Sequence, residues 1–494
     1  MKVILRLFFI ILLILAKFAC FSLHCQPQLG WGLDPHAGIS GALVQPAATS
    51  ATPYKWDINL FSFNLSARSD YLFIQNASVR ELGLAVLTNG APSFNRSGLL
   101  FRIGTTDYTY AYANSTGRPH VAQLGIDILG PSGSIQLGEF SRIGAFTRIR
   151  TALGSRSIDE DLNFFTYEEL VEGTTFALDE FYAGVALWSE LGLNFSHAMY
   201  VGDEGELRIG GNFRYLLGHE GGSFYNPDGA QLRKIGGDSI IVINADTEIA
   251  VSEGLLSNSF SSGVTGGGIG LDLGLQYAWG YSAAGGYRYV IGLSVLDIGA
   301  VPFRQGAQQH RFTNGGEVLL DAEDYPFVGD DGFGVALNQL SRDTYDGDSN
   351  NSLRASEFEV GLPTAISAQF AFKPFAPLQI SLAYRGDFPL ASRRLTQGEQ
   401  LTVAAHYSKH WYGAGFTASL YDWNTHNFGF QLRGGPFYFG TDLIRGTITT
   451  LPELNSGGFY FGIRLHEFKR KGQANNTRTS LPKNGSKPVK CYKF

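Results

Sequence analysis

The chain has 494 residues; 62 are glycine, 13% are aromatic, only 17% are charged, and the formal net charge is -6. Aromatic content this high with so little net charge excludes intrinsic disorder, and three cysteines are too few for a disulfide scaffold. Excess glycine with aromatics is the composition of many strands that bend and approach one another closely.

Residues 1–25 read as a secretory signal peptide. Lys2 and Arg6 form its charged start, and the apolar run ending at Ala16 is short for a ~20-residue membrane span. Cys20 and Cys25 leave with it, so Cys491 alone remains and no intrachain disulfide is expected. Residues 26–56 are expected to form an N-terminal periplasmic or plug segment. Residues 467–494 carry eight basic residues and one acid, Glu467, and are expected to be a flexible basic periplasmic tail. Residues 26–466 hold 27 basic and 43 acidic residues, a net charge of -16 that argues against a nucleic-acid partner.

No stretch after residue 25 holds ~18 consecutive apolar residues, so only a closed barrel could carry this chain across a membrane. Strand alternation tests that. Leu207, Ile209, Phe213 and Tyr215 oppose Glu206, Arg208, Asn212 and Arg214. Ile269, Leu271, Leu273 and Leu275 oppose Gly270, Asp272, Gly274 and Gln276. The same period of two recurs over 287–296, 378–385, 428–433 and 459–465. The segments run ~10 residues, their polar faces are small or charged, and aromatics gather near strand ends, as in membrane barrels. The expected fold is all-β: a transmembrane antiparallel up-and-down barrel over 57–466 with about 14 strands, 16 being the alternative. A soluble propeller would need a blade-length repeat, and none is visible. On this reading Leu273→Arg should disrupt assembly, and Asp272→Asn, on the other face, should be tolerated.

Short connections (202–205, 282–286, 373–376, 408–410, 434–436) broadly alternate with long ones (217–266, 300–361, 387–398, 446–456), which places both ends of the barrel in the periplasm. The long connections are expected to carry helices at 157–172 and 332–345, and a strand at 238–252.

The segments Gly38-Ile39-Ser40-Gly41, Gln45-Pro46-Ala47 and Tyr54 through Leu60 resemble the start of uncharacterised outer-membrane barrels of Bacteroidota. That domain-of-unknown-function group is related to the long-chain fatty acid transporter family. The glycine-rich run from Gly266 to Gly274, the stretch Ser294 to Gly299 and Gly361-Leu362-Pro363-Thr364 look like further landmarks, and the resemblance covers about 38–466. Gln45 departs from it, since the family more often has Asn before Pro-Ala. The resemblance implies a fourteen-stranded barrel in the cell outer membrane. Its relatives include transporters of hydrophobic molecules and partners of the type nine secretion and gliding machinery. The expected surroundings are outer-membrane lipid, and the expected function is passage of a small hydrophobic solute. A plugged structural or secretion-partner barrel is the alternative, and a barrel-borne enzyme a third class.

Two constellations carry chemistry. Asp346, Asp348, Asn350, Ser352 and Glu357 fall at positions 1, 3, 5, 7 and 12 of a calcium-loop pattern, with Asn351 where glycine is usual. Arg148, Arg150, Arg208, Arg214, Arg288, Arg385, Arg433 and Arg464 fall on lumen faces with Glu206, Asp272 and Asp442. Such charges either select anionic solutes or pair to fill the lumen. No Gly-x-Ser-x-Gly, His-Glu-x-x-His or phosphate-binding motif is present, and His406, His410 and His426 read as interfacial. No enzyme activity and no cofactor other than calcium is expected.

Overall fold

The computed structural model describes residues 29–467 except 90–92, 95–99, 113–119, 159–171, 202–204, 236–238, 258–262, 283–285, 322–323, 326–332 and 389–392. The predicted signal peptide and, beyond Glu467, the predicted basic tail lie outside the described residues.

Fourteen strands form a closed antiparallel barrel. They are β1 Trp56–Ser69, β2 in two pieces His120–Leu129 and Ser132–Leu137, β3 Ser141–Ile158, β4 Phe181–Val201, β5 Gly205–Asn226, β6 Gly266–Ser282 and β7 Gly286–Phe303. The second half comprises β8 Ala365–Phe375, β9 Leu378–Asp387, β10 Gln400–Ser408, β11 Tyr412–Tyr421, β12 Thr425–Gly434, β13 Phe437–Leu443 and β14 Ser456–His466. Each pairs with its sequence neighbours, and β14 returns to β1 from Asp57↔His466 to Arg68↔Ser456. The two pieces of β2 keep one register against β1, with Ser62↔Leu129 in one and Asn59↔Ser132 in the other. Pro131, which has no N–H for a ladder, sits in the gap.

Alternation decides which way each side chain points. On β6, Leu273 is 49% exposed while Asp272 is 2% exposed. The same contrast on all sides makes an outward belt of Leu, Ile, Val and Phe, which a soluble protein could not leave bare. Aromatics edge the belt. Tyr277, Trp279, Tyr289 and Phe372 stack in a row with centroids 5.7, 5.4 and 5.3 Å apart near one rim. Tyr384 and Trp423 stack at 6.2 Å near the other.

Connections such as Ala376–Pro377 and Gly435–Pro436 close one end of the barrel, and the long connections all leave from the other. Both ends of the barrel, the start of β1 and the finish of β14, lie at the short-turn end, where the Lys55 N–H donates to Glu467 Oε2 at 3.1 Å. The long connections build a cap. One part is a four-stranded sheet of Thr175–Leu178, Ala230–Lys234, Ser239–Ile243 and Glu317–Asp321, with an antiparallel pair of strands, Asp246–Val251 and Gln308–Thr313. Helix α2, Phe333–Thr344, packs on it where the sequence predicts a helix. The stretch 238–252 is two strands rather than one, because Asn244 takes a left-handed conformation (φ 51°) between them. The other part is a five-stranded sheet with helix α1, Val79–Asn89. The helix predicted at 157–172 falls almost wholly outside the described residues.

Residues 29–55 run back inside the ring as three short helical turns, Leu29–Gly32, Gly38–Leu43 and Pro46–Ala51.

Candidate functional site: a plugged lumen beneath an apolar cap

The N-terminal segment is held by the polar inner faces of strands all round the barrel. Gly30 donates its N–H to Asp442 at 3.1 Å, and its carbonyl sits 2.8 Å from His406 Nε2. Asp34 accepts from Ser408 at 3.0 Å and from Gln431 at 2.6 Å. The Ile39 N–H donates to Asp57, which also takes the Arg142 guanidinium at 2.7 Å. Ala42 O accepts from Asn212, and Thr49 reaches Asn194 and Ser196. Gln45, the departure from the resembled pattern, donates to Leu293 O at 3.2 Å, tying the plug to the β7 backbone. Gly210 and Gly274 make room for this turn. A Cβ at Gly274 would stand 2.1 Å from Gln45 Oε1, and one at Gly210 would stand 2.6 Å from Pro46 O. Trp31 stacks on Tyr438 at 3.9 Å, and the Arg464 guanidinium lies over Trp31 and Tyr54. His36, 2.8 Å from Tyr54 Oη, is pushed down to a pKa of about 3 by burial.

Above the plug lies a layer of eight buried charges, four Arg and four acids. Arg214 contacts Glu190 at 3.1 Å and both Asp272 and Asp297 at 2.7 Å. Arg150 contacts Asp297 at 2.7 Å and Glu190 at 3.2 Å. Arg148 grips Asp127 with two nitrogens, and Arg385 lies 3.8 Å from Asp297. None of the eight is more than 7% exposed. A buried charge without its partner is costly, so the equal count of signs is what the low dielectric demands.

Three of the four acids are absent from the sequence-based set. Asp127 and Glu190 alternate inward on β2 and β4, strands whose pattern was not read. Asp297 has a different cause. Simple alternation along β7 would point it at lipid with Val295. A bulge opposite Asp272 intervenes, since β6–β7 pairing steps from Leu273↔Val295 to Leu271↔Ile298. Asp297 adopts φ 57° there and turns inward, with its N–H donating to Asp272 at 2.6 Å.

The remaining predicted lumen charges divide. Arg208 pairs with Glu206 at 2.6 Å, Arg433 donates to the Lys409 and His410 carbonyls, and Asp442 and Arg464 hold the plug. Arg288 is a correction. It is exposed at the short-turn rim with its guanidinium 5.9 Å from the Phe372 ring centre, because the third residue of β7 lies beyond the packed lumen. Asp272→Asn is a second correction, since that carboxylate is a counter-charge of Arg214. His406 is a third: it is wholly buried on the plug rather than interfacial.

The calcium pattern does not assemble into a site. Ser352 is buried against His310 Nδ1 at 2.8 Å, Glu357 lies 3.5 Å from Arg304, and Asp348 Oδ1 accepts from the Asn350 N–H at 2.9 Å. Asp346 takes a left-handed turn (φ 49°) after α2. Spacing imitates the motif, but the segment is a helix end running into a short strand. Among the described residues no group of three or more His, Cys, Asp or Glu is placed to hold a metal ion.

The cap holds an apolar cavity of about 130 Å³. Its walls include Leu178, Phe181, Leu232, Ile249, Phe312 and Leu320. Asn226, Asn314, Thr247 and Thr344 are the polar residues in its lining, and among the described residues no charged side chain contributes.

These features define a transmembrane fourteen-strand barrel with a filled lumen and a folded cap. The chain belongs to a family of unknown function, DUF5723, whose model matches residues 46–442. No curated relative matches. Among solved structures it is similar to a mutant of TodX described as a monoaromatic hydrocarbon channel (10% identity, 87% of this chain and 94% of that one, TM-score 0.37). It is also similar to the Ralstonia pickettii toluene transporter TbuX (9%, 87% and 93%, 0.35) and to a Pseudomonas aeruginosa FadL homologue (9%, 90% and 98%, 0.28).

Proposed function

We propose that this protein is an outer-membrane barrel that captures a small neutral hydrophobic molecule on its outer side and admits it to the membrane or periplasm. The observation that carries this reading is the cap cavity. An apolar cavity of ~150 Å³ with a similar Leu, Ile and Phe lining stays dry and takes up benzene, so a 130 Å³ cavity suits a single small ring or a short alkyl chain. The absence of charge from the lining disfavours ionised solutes. The short-turn and long-loop ends, the start of β1 and finish of β14 on the short-turn side, and the apolar belt support an outer-membrane setting with the cap outside. Passage would require the plug and charge layer to rearrange.

The experiment is occupancy of the cavity. Val242→Trp should fill it. Purified full-length protein in detergent is expected to lose at least tenfold in toluene binding with this substitution, while cold-gel migration of the folded barrel is retained. Unchanged binding would overturn the reading. The filled lumen favours a second one, a plugged partner barrel that moves no solute. On that reading Val242→Trp leaves hydrophobic uptake by cells unaffected.

A further inference from the structure

A serine and a histidine that no sequence motif joins meet on the outer face of the wall. Ser189 of β4 and His219 of β5 lie 30 positions apart, with Ser189 Oγ 2.8 Å from His219 Nε2. The other imidazole nitrogen, Nδ1, is 3.1 Å from the Gly263 carbonyl oxygen. A carbonyl only accepts, so Nδ1 carries the hydrogen and Nε2 turns its lone pair to the serine hydroxyl. This is the tautomer that a general base needs. The backbone supplies the aim. Pairing of β4 with β5 steps from Leu187↔Glu220 to Trp188↔Gly218, which makes His219 the extra residue of a bulge. A second Ser–His contact, Ser352 with His310, is buried on both sides and inaccessible. Ser189 and His219 are both partly exposed.

Depth suggests the substrate. The apolar outward positions on β4 are Met199, Phe195, Leu193 and Leu191, each 37–57% exposed, with partly exposed His197 between the first two, and the next outward residue is Ser189. Ten residues from Met199 to Ser189 span about 34 Å of strand, or about 26 Å along the membrane normal at a ~40° tilt. The apolar band of such barrels is about 25 Å tall, so Ser189 stands at its edge. Two outward positions further, past half-buried Leu187, Val185 is only 3% exposed. The pair therefore sits in the corner between hydrocarbon and cap, at the depth of lipid ester groups.

We propose that Ser189 and His219 form a nucleophile and base that cleave acyl esters of membrane lipids. Ser189 Oγ attacks the ester carbonyl carbon as His219 Nε2 takes the hydroxyl proton. The carbon–oxygen bond to the alcohol breaks, His219 returns the proton to the departing oxygen, and the acyl group stays on Ser189. Water then attacks the acyl carbon, passing a proton through His219 back to Ser189, and the fatty acid leaves. The sum is ester plus water giving acid plus alcohol.

The test uses the full chain in phosphatidylethanolamine vesicles with a labelled acyl chain. Fatty acid release above protein-free vesicles is expected. Ser189→Ala and His219→Asn should lower it at least 100-fold, the lower bound for a positioned base. Ser141→Ala, which removes a Ser–His contact at the short-turn rim, should release at the wild-type rate. A fluorophosphonate probe should label Ser189 and no other serine. All variants are checked for heat-modifiable migration, so a fold defect is seen as such. No release by folded wild type, undiminished release by either folded variant, or no adduct on Ser189 would each overturn the proposal.

Discussion

The barrel lumen and the cap cavity are built by opposite rules. In the lumen, polar and charged groups face inward and apolar ones outward. In the cap, Phe312, Leu320 and Tyr325 face inward as in a water-soluble protein. The solvent outside explains the inversion. Lipid accepts apolar surface without penalty, so the wall gains nothing by hiding Leu273 and must instead satisfy Arg214 inside. Water rejects apolar surface, so the cap hides it. One consequence is that lumen stability rests on charge balance, whereas cap stability rests on volume.

Substitutions that respect one rule should fail under the other, and the largest effect is expected in the charge layer. Arg214→Met keeps bulk but leaves Glu190, Asp272 and Asp297 short of a cation, a loss of about 3–5 kcal/mol for a broken buried ion cluster. Urea unfolding in detergent measures it, and a stability change below about 1 kcal/mol would break the comparison. Leu273→Arg puts a charge in the apolar belt and should cost about 2–4 kcal/mol at mid-depth, read in the same assay. In the cap, Leu320→Ala should cost about 2–4 kcal/mol locally by enlarging the cavity. Limited proteolysis should then cut the cap faster while the barrel keeps its cold-gel mobility.

A weaker effect concerns acid. Because burial holds His36 down at a pKa of about 3, a released plug binds the proton more readily than a docked one. Docking is therefore favoured at neutral pH and weakens as pH falls through the window from about 6.5 toward 3. Protease access to residues 29–55 should rise at pH 4 relative to pH 7, and His36→Gln should reduce that difference. The smallest effect is the expected lack of any: cleavage near Asp346 should be the same with calcium or chelator, since Ser352 and Glu357 are already engaged elsewhere.

Face assignment was legible from sequence because alternation is a local property. The runs around Leu273, Leu382 and Phe461 needed only their own residues to be read. Connection lengths required only an even strand number and left fourteen or sixteen open, because residues 57–153 were ambiguous in sequence; the family resemblance implied fourteen. Asp297 was not legible, since a bulge is set by the partner strand and reverses the parity that its own strand implies. The cap was only partly legible. Helix α2 shows its apolar face in sequence, but the cavity arises from segments brought together from three separate connections. The calcium spacing misled because position along a chain does not fix where carboxylates point.

The seam between β1 and β14 has a kinetic consequence. Asp57 meets His466, a contact across roughly 400 residues, and such non-local contacts form slowly. Until they form, β1 and β14 each present an unpaired edge able to recruit another chain. Residues 29–55 continue directly into β1 and lie inside the finished ring, so they bind inner faces that exist only when most strands are in place. Sealing the wall and seating the plug are thus late events of biogenesis. A chain interrupted before β14 would be left both unsealed and unplugged.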